Sequence, residues 1–393
     1  MSGQLRFFAV LGFGILLVGM VGHFWVTDRL GVLRLLYPLE AALVAPTLSC
    51  TRDAPQWMRE ALYFSLVDGE SPAGQIAHVT PVGAVHECHY GWVSMPLLSA
   101  FVTEKSRFRY ASMTKLLTAD LVLRVVHQGR LSLDSKLLEL LELDGFPDDE
   151  RLQEITVESL LRHSAGFDRM RSIDSMVEHG KKPWCPSQLE KLAEVRLDFE
   201  PGQRYAYSNL NYCLLGAVLE KVTGQTFRDL MEQEYGLASR DIRFVDGPYL
   251  SDEVRYDFRN SEFYTDQYWR YFDFEALSSS AGLSGSAGAF ARLLAELRYE
   301  QGFMVTQAGI QPICNQGVFR GCYGYAVFAY QPAHDRLRVH VQPGFLYASP
   351  SVAILDDKGG VTVWVGSGMR LAGDPTDPMV EVLYQALDEF YSK

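Results

Sequence analysis

Phe108-Arg109-Tyr110-Ala111-Ser112-Met113-Thr114-Lys115 runs directly into an apolar helical stretch from Leu116 to Val126. Placing Ser112 at the first turn of a helix puts Lys115 three residues later on the same face, so a hydroxyl and an ammonium can meet in one site. A serine hydroxyl is a poor nucleophile at neutral pH and needs a neighbouring base, while a helix N-terminus adds partial positive charge where negative charge develops. The arrangement suits attack on an acyl carbon. Ser-x-x-Lys alone does not separate this reading from a serine N-cap beside a solvated lysine, since about one such tetrad is expected by chance in a chain this long.

Working outward, 393 residues with 48% hydrophobic and 21% charged side chains can bury a sizeable core, as one large or two interleaved domains. A formal charge of -12, with no basic run and no zinc-finger spacing, excludes nucleic acid as an expected partner. Phe7 to Val26 is a nearly all-apolar run in which His23 is the only titratable side chain. At about 1.5 Å per residue it is long enough to cross a bilayer core of about 30 Å. His23-Phe24-Trp25-Val26-Thr27 offers no small-x-small cleavage site, so the run reads as an uncleaved anchor rather than a cleaved signal. Leu30 to Ala45, interrupted by Arg34, Pro38 and Glu40, reads as a surface-lying segment or a linker. The domain organisation expected is therefore an anchor or signal segment over 1–29, a linker and leading helix over 30–69, and a catalytic domain over 70–393.

The six cysteines (Cys50, Cys88, Cys185, Cys213, Cys314, Cys322) form no close Cys-x-x-Cys pair, which gives a zinc site little support. Behind an export segment an even count allows disulfides. Cys314 with Cys322, flanking a short turn, is the favoured pair, whereas Cys213 lies inside an apolar helical pattern and reads as a buried thiol.

Along the chain, helices are expected over Gln56–Leu66 and Val157–Arg162, and one or two strands between Gln75 and Met95. His163, at the end of the second helix, reads as a structural histidine rather than a base. Pro201-Gly202-Gln203-Arg204-Tyr205-Ala206-Tyr207-Ser208-Asn209 then leads through a turn into a helix from Leu210 to Val222, closed by Gly224. Tyr207 and Asn209, two apart on a tight loop, can point the same way. A phenol titrates near about 10 and serves as a base at neutral pH only beside a cation. Lys115 is a candidate for that cation. Further on, Ser278-Ser279-Ser280-Ala281-Gly282-Leu283 precedes an amphipathic helix from Ala287 to Leu297. Tyr323–Tyr330 and Leu337–Val341 alternate like strands, Ser351–Leu355 and Val361–Val365 read as a hairpin, and Met379–Tyr391 is a final helix with one apolar side.

The Ser112 octapeptide, Leu160-Leu161-Arg162-His163-Ser164-Ala165-Gly166-Phe167, the Pro201 to Asn209 run and Ala281-Gly282-Leu283 resemble, in that order, the serine hydrolase family of class C β-lactamases, D-Ala-D-Ala carboxypeptidases, D-aminopeptidases and related esterases. The resemblance covers roughly residues 70 to 392. It implies an α+β fold, an antiparallel sheet flanked by helices with an inserted, mostly helical lobe at roughly 116–275. It further implies Ser112 as the acylated nucleophile, Lys115 as its electrostatic partner, Tyr207 as general base and Asn209 as a contact to substrate or to Lys115. No metal or organic cofactor is implied.

The family's third motif, Lys-Thr-Gly or His-x-Gly on a strand edge, is where the sequence departs. One alignment makes His340 its first residue and sets Pro343, which lacks an N–H, where an oxyanion donor is needed. Another starts at Arg338, puts His340 in the glycine position and makes Val341 the donor. The competing reading of His340 is a strand histidine without a catalytic role. The expected function is an acyl-serine hydrolase acting on a small-molecule or peptide ester or amide, membrane-anchored and extracytoplasmic, on the periplasmic side if bacterial. The alternatives are a catalytically weak binding or scaffold protein that keeps the fold, and a β-lactamase or D,D-carboxypeptidase.

Overall fold

Branched apolar residues alternate along Ser349–Asp356 and Val361–Ser367, and that alternation creates the two faces of the central sheet. Val361, Val363 and Val365 face one core together with Ala353 and Leu355, while Val352, Ile354 and Trp364 face the other. The computed structural model describes residues 2–143, 147–172, 176, 182–261, 267–301, 304–306, 314–334, 336–370 and 376–393. Its strands are β1 (Ser49–Cys50), β2 (Ala73–Val79), β3 (Val85–Tyr90), β4 (Phe108–Arg109), β5 (Arg243–Phe244), β6 (Leu283–Gly285), β7 (Phe328–Tyr330), β8 (Val339–Leu346), β9 (Ser349–Asp356) and β10 (Val361–Ser367). Seven form one antiparallel sheet in the order β1-β3-β2-β10-β9-β8-β7, and β4-β6-β5 form a small second sheet.

The principal helices are α1 (Ser2–Thr27), α2 (Arg29–Val44), α3 (Gln56–Val67), α4 (Thr114–His127), α5 (Val157–Leu161), α6 (Asn209–Thr223), α7 (Phe227–Tyr235), α8 (Ala287–Gln301) and α9 (Asp377–Tyr391). The fold is α+β, an antiparallel sheet with helices on both faces. Met58, Leu62 and Leu66 of α3 and Met379, Leu383 and Leu387 of α9 cover one face; Phe290 and Leu294 of α8, with the residues of α4 to α7, pack on the other. Ser112 stands on that second side, where the chain between β4 and α4 meets β8 and β9.

Leu30–Ala45, expected as a surface-lying segment or a linker, is helical, with Tyr37, Ala41 and Val44, spaced i, i+4, i+7 on α2, buried with α3 and α9 and the Tyr37 hydroxyl donating to the Leu66 carbonyl at 2.5 Å. Two features differ from expectation. Cys213 is not a thiol. It is bonded to Cys185, which lies in the loop facing that side of α6, so an apolar helical pattern shows that the residue is buried and says nothing of what it meets. The other pairs are Cys50–Cys88, joining directly opposed residues of β1 and β3, and the expected Cys314–Cys322. Finally, only Phe328–Tyr330 of the expected strand from Tyr323 is extended in the sheet, because Ala326 adopts a left-handed conformation with φ 58 and turns the chain.

Candidate active site

Ser112 lies in a single 3₁₀ turn, Ala111–Met113, ahead of α4. The residue before it, Ala111, has φ 48, a strained conformation for a residue with a Cβ, and it bends the chain so that Ser112 faces β8. Three side chains from the sheet fix this bend. Ser349 donates to the Arg109 carbonyl at 3.0 Å, Ser351 to the Tyr110 carbonyl at 2.7 Å, and Gln342 Nε2 to the Ser112 carbonyl at 3.0 Å. The buried Arg109–Glu253 ion pair at 2.5 Å ties β4 to the neighbouring lobe.

Lys115, on the first turn of α4, is fully buried, and a buried ammonium needs partners for its charge. It has three. Its Nζ donates to Ser112 Oγ at 3.2 Å, to Asn209 Oδ1 at 2.8 Å and to the Ser280 carbonyl at 2.8 Å. The Ser278–Ala281 helical turn presents that carbonyl, and it is held against α4 by Thr118, whose hydroxyl donates to the Ser279 carbonyl at 2.7 Å. An ammonium at this point places positive charge directly beside Ser112 Oγ.

Tyr207 arrives from the loop before α6. Ser208 caps that helix, accepting from the Leu210 amide, which leaves Asn209 as its first residue with its side chain turned to Lys115. The Tyr207 hydroxyl is 2.7 Å from Ser112 Oγ and 3.4 Å from Asn209 Oδ1. Two cations flank its ring: Lys115 Nζ is 5.0 Å and Arg169 Cζ 4.7 Å from the centroid. His163, fully buried, lies against the ring with centroids 4.4 Å apart and accepts from Asn211 Nδ2 at 2.9 Å. Burial first, then the Lys115 and Arg169 charges, hold its imidazole well below the usual histidine range. It is a neutral packing wall for the phenol.

The structure thus brings Ser112, Lys115, Tyr207 and Asn209 within direct reach of one another. It does not bring His340 to them. His340 is half-buried, with its imidazole lowered to about 4 by burial and by Arg298 and Arg338, against a smaller opposing effect of Asp357, a different neighbourhood from that of Ser112. Gly344 is the strand residue against Ser112: a Cβ there would stand 2.7 Å from the Tyr110 carbonyl oxygen and 3.0 Å from the Ser112 nitrogen. The segment facing Ser112 is therefore Gln342-Pro343-Gly344, a register given by neither sequence alignment. The sequence signal was the lone glycine in β8.

That register also assigns the strand's N–H groups. Pro343 and Pro350 fall in alternate pairs, Pro343 opposite Val352 and Phe345 opposite Pro350. Neither proline can donate, so these are the non-hydrogen-bonded pairs of the ladder, and the Phe345 N–H points away from β9. It faces the edge that β7 leaves open beyond the Phe328 to Val341 pairing.

A family model described as Beta-lactamase matches residues 73–365. The chain belongs to the beta-lactamase family. Members of this family are serine hydrolases, and the matched span contains all four clustered side chains. Over 361 residues the chain is 38% identical to a protein named "probable fimbrial assembly protein FimD, serogroup H1" of Dichelobacter nodosus, covering 92% of this chain and 91% of that protein. Among solved structures it shares its fold with the D-amino acid amidase of Ochrobactrum anthropi SV3 (TM-score 0.67, 17% identity, 86% of this chain and 98% of that one). A beta-lactamase/D-alanine carboxypeptidase from Yersinia pestis has the same fold (TM-score 0.66, 14% identity, 91% and 99%).

Proposed function

We propose that the protein cleaves an amide or ester bond of a small peptide or related molecule through an acyl-Ser112 intermediate, on the extracytoplasmic side of a membrane that α1 anchors it to. The observation that carries this is the 2.7 Å contact between Ser112 Oγ and the Tyr207 hydroxyl, with the Lys115 ammonium 3.2 Å from the same Oγ. Beside that ammonium Tyr207 acts as phenolate. It takes the Ser112 proton as Oγ attacks the carbonyl carbon, and the carbonyl oxygen gathers negative charge between the N–H groups of Ser112 and Phe345. Tyr207 then passes the proton to the leaving amine or alkoxide. Water, deprotonated by Tyr207 in turn, releases the acid and restores Ser112.

Gln342 occupies the strand position before Pro343-Gly344 where the family motif has lysine or histidine, and its amide is spent on the Ser112 carbonyl. The strand therefore offers no cation for a substrate carboxylate, which favours a neutral peptide or ester over a β-lactam. The location rests on α1, 26 residues and about 39 Å long at 1.5 Å per residue, and on three disulfides with no free cysteine. A second reading, a weakly catalytic member serving fimbrial assembly, is favoured by the name of the 38% identical relative.

A fluorophosphonate probe should label the wild type on Ser112 and leave Ser112→Ala unlabelled. A panel of esters, D-amino acid amides and β-lactams should show turnover that the substitution abolishes. Equal turnover by both proteins would overturn the hydrolase and leave the assembly role.

A further inference from the structure

The helix α2 is apolar on both sides, with Tyr37, Ala41 and Val44 buried against the domain and a row of leucines facing out. Two of its charged side chains are drawn toward the protein: Arg34 Nε donates to the Arg259 carbonyl at 2.7 Å, and Glu40 accepts from Arg259 Nη2 at 2.6 Å. Its leucines point out. Leu36, Leu39 and Leu43, spaced i, i+3, i+7, and Leu35 beside them are exposed, Leu35 at 80% and Leu39 at 71%. The loop after β3 adds Met95, Leu97, Leu98 and Phe101, all exposed, Leu98 at 81%. A groove of about 1030 Å³ joins the two, with Leu36, Leu39 and Leu43 on one wall and Trp92, Met95 and Pro96 on the other. The groove is also lined by Arg255, Asp257 and Arg259, and exposed apolar side chains gathered at a charged rim mark a contact rather than a solvated face.

What it contacts follows from connectivity. Asp28 alone separates the end of α1 from the start of α2. Where α1 crosses a bilayer, a one-residue link of about 3.5 Å keeps the first turn of α2 at the headgroups, and the exposed leucines along its length favour its lying there. Trp25, on the last turn of α1, lies under the Arg29 guanidinium at 5.0 Å, an aromatic and a cation of the kind that settle at the lipid–water boundary. We infer that the outer face of α2 and the 95–101 loop lie in the membrane interface, so that the domain rests on lipid through this patch. The inference rests on the anchoring proposed for α1. It commits to lipid as the occupant; a second copy of the chain or another protein is an alternative outcome of the test.

The full-length protein is reconstituted in phosphatidylcholine vesicles with and without lipids carrying a doxyl quencher near the headgroup. A fluorescent probe sensitive to polarity is attached at Leu39→Cys, at Leu98→Cys or at Val82→Cys. Val82 is the control: it is 90% exposed in the β2–β3 turn, at the opposite end of β2 from Pro72 and Ala73, which line the groove. Carbonate washing reads the anchor separately. Retention in the carbonate-washed membrane, with the probes at 39 and 98 blue-shifted and quenched at least about twofold more than at 82, supports the inference. Retention with all three probes equally solvated overturns it while leaving the anchor intact. A blue shift without lipid quenching overturns it in favour of a protein partner, and release by carbonate overturns both. Leu35→Glu combined with Leu39→Glu, with an unchanged melting temperature, should remove the quenching at 98; its persistence would overturn α2's part in the contact.

Discussion

In the proposed mechanism Tyr207 and Lys115 divide between them what a single histidine does in other serine enzymes, one handling the proton and the other the charge. Tyr207→Phe removes the acceptor and keeps the ring against His163, so kcat should fall by about 10²- to 10⁴-fold with KM little changed, measured on whichever ester or amide the panel yields. Lys115→Met removes the charge and also strands the Asn209 Oδ1 and Ser280 carbonyl oxygens that the ammonium now satisfies. It should lose activity and, in addition, about 1–3 kcal/mol of stability in urea unfolding for each acceptor left unpaired. Gly344→Ala would press a methyl against backbone at Tyr110 and Ser112, which has little freedom to yield, so it should cost activity and about 1–3 kcal/mol. At this scale the sequence was legible where chemistry is local. Ser112 and Lys115 sit three residues apart and Tyr207 and Asn209 two apart, so each pair declares itself within one block. Gln342, Gly344 and Phe345 matter through strand register against a chain segment some 230 residues away. No periodicity within β8 reports that register, and His340 was the conspicuous residue in the wrong place.

The elements that carry these residues are pinned from outside the site. Helix α6 holds Asn209 at its start and Cys213 one turn later, and the Cys185–Cys213 bond ties that turn to a loop 28 residues back in the chain. Closing a loop of that size restricts the unfolded chain by an amount worth about 3–4 kcal/mol in the loop-entropy account. Cys185→Ser with Cys213→Ser should lower the unfolding free energy by that order. Because Asn209 is also held by Lys115, the double variant should retain fluorophosphonate labelling of Ser112 under conditions where it is still folded. Most elements were readable from pattern. The β9–β10 hairpin alternates without interruption, and Thr156 and Gly224 mark a helix start and a helix end with a capping hydroxyl and a left-handed φ of 75. What pattern missed were contacts rather than elements: α2's inward face, and the partner of Cys213.

Across the whole molecule, stability should fall in mild acid, and histidines whose imidazoles burial holds neutral give the window, His163 and His78 foremost among them. His163 is held neutral by burial and by the Lys115 and Arg169 charges. His78, fully buried between β2 and β10 with its Nδ1 2.9 Å from Thr362 Oγ1, is lowered to about 4 by burial and by His86. In the unfolded chain both titrate near 6.5. Below that pH the unfolded state takes up protons that the fold refuses, so unfolding is favoured as pH falls from about 6.5 toward 4, with a limiting slope of about 1.4 kcal/mol per pH unit for each histidine. The sign is fixed by the lowered pKa: the stability is present in full above 6.5 and is lost on the acid side. Urea midpoints measured from pH 7.5 to 4.5 should trace this slope, and His78→Gln, which keeps a polar partner for Thr362, should remove one histidine's share of it, since His89 and His340 are also held below the usual histidine range. A stability independent of pH over that range would mean that these imidazoles are protonated in the fold, and with His163 charged beside Lys115 and Arg169 the neutral wall behind Tyr207 would be lost.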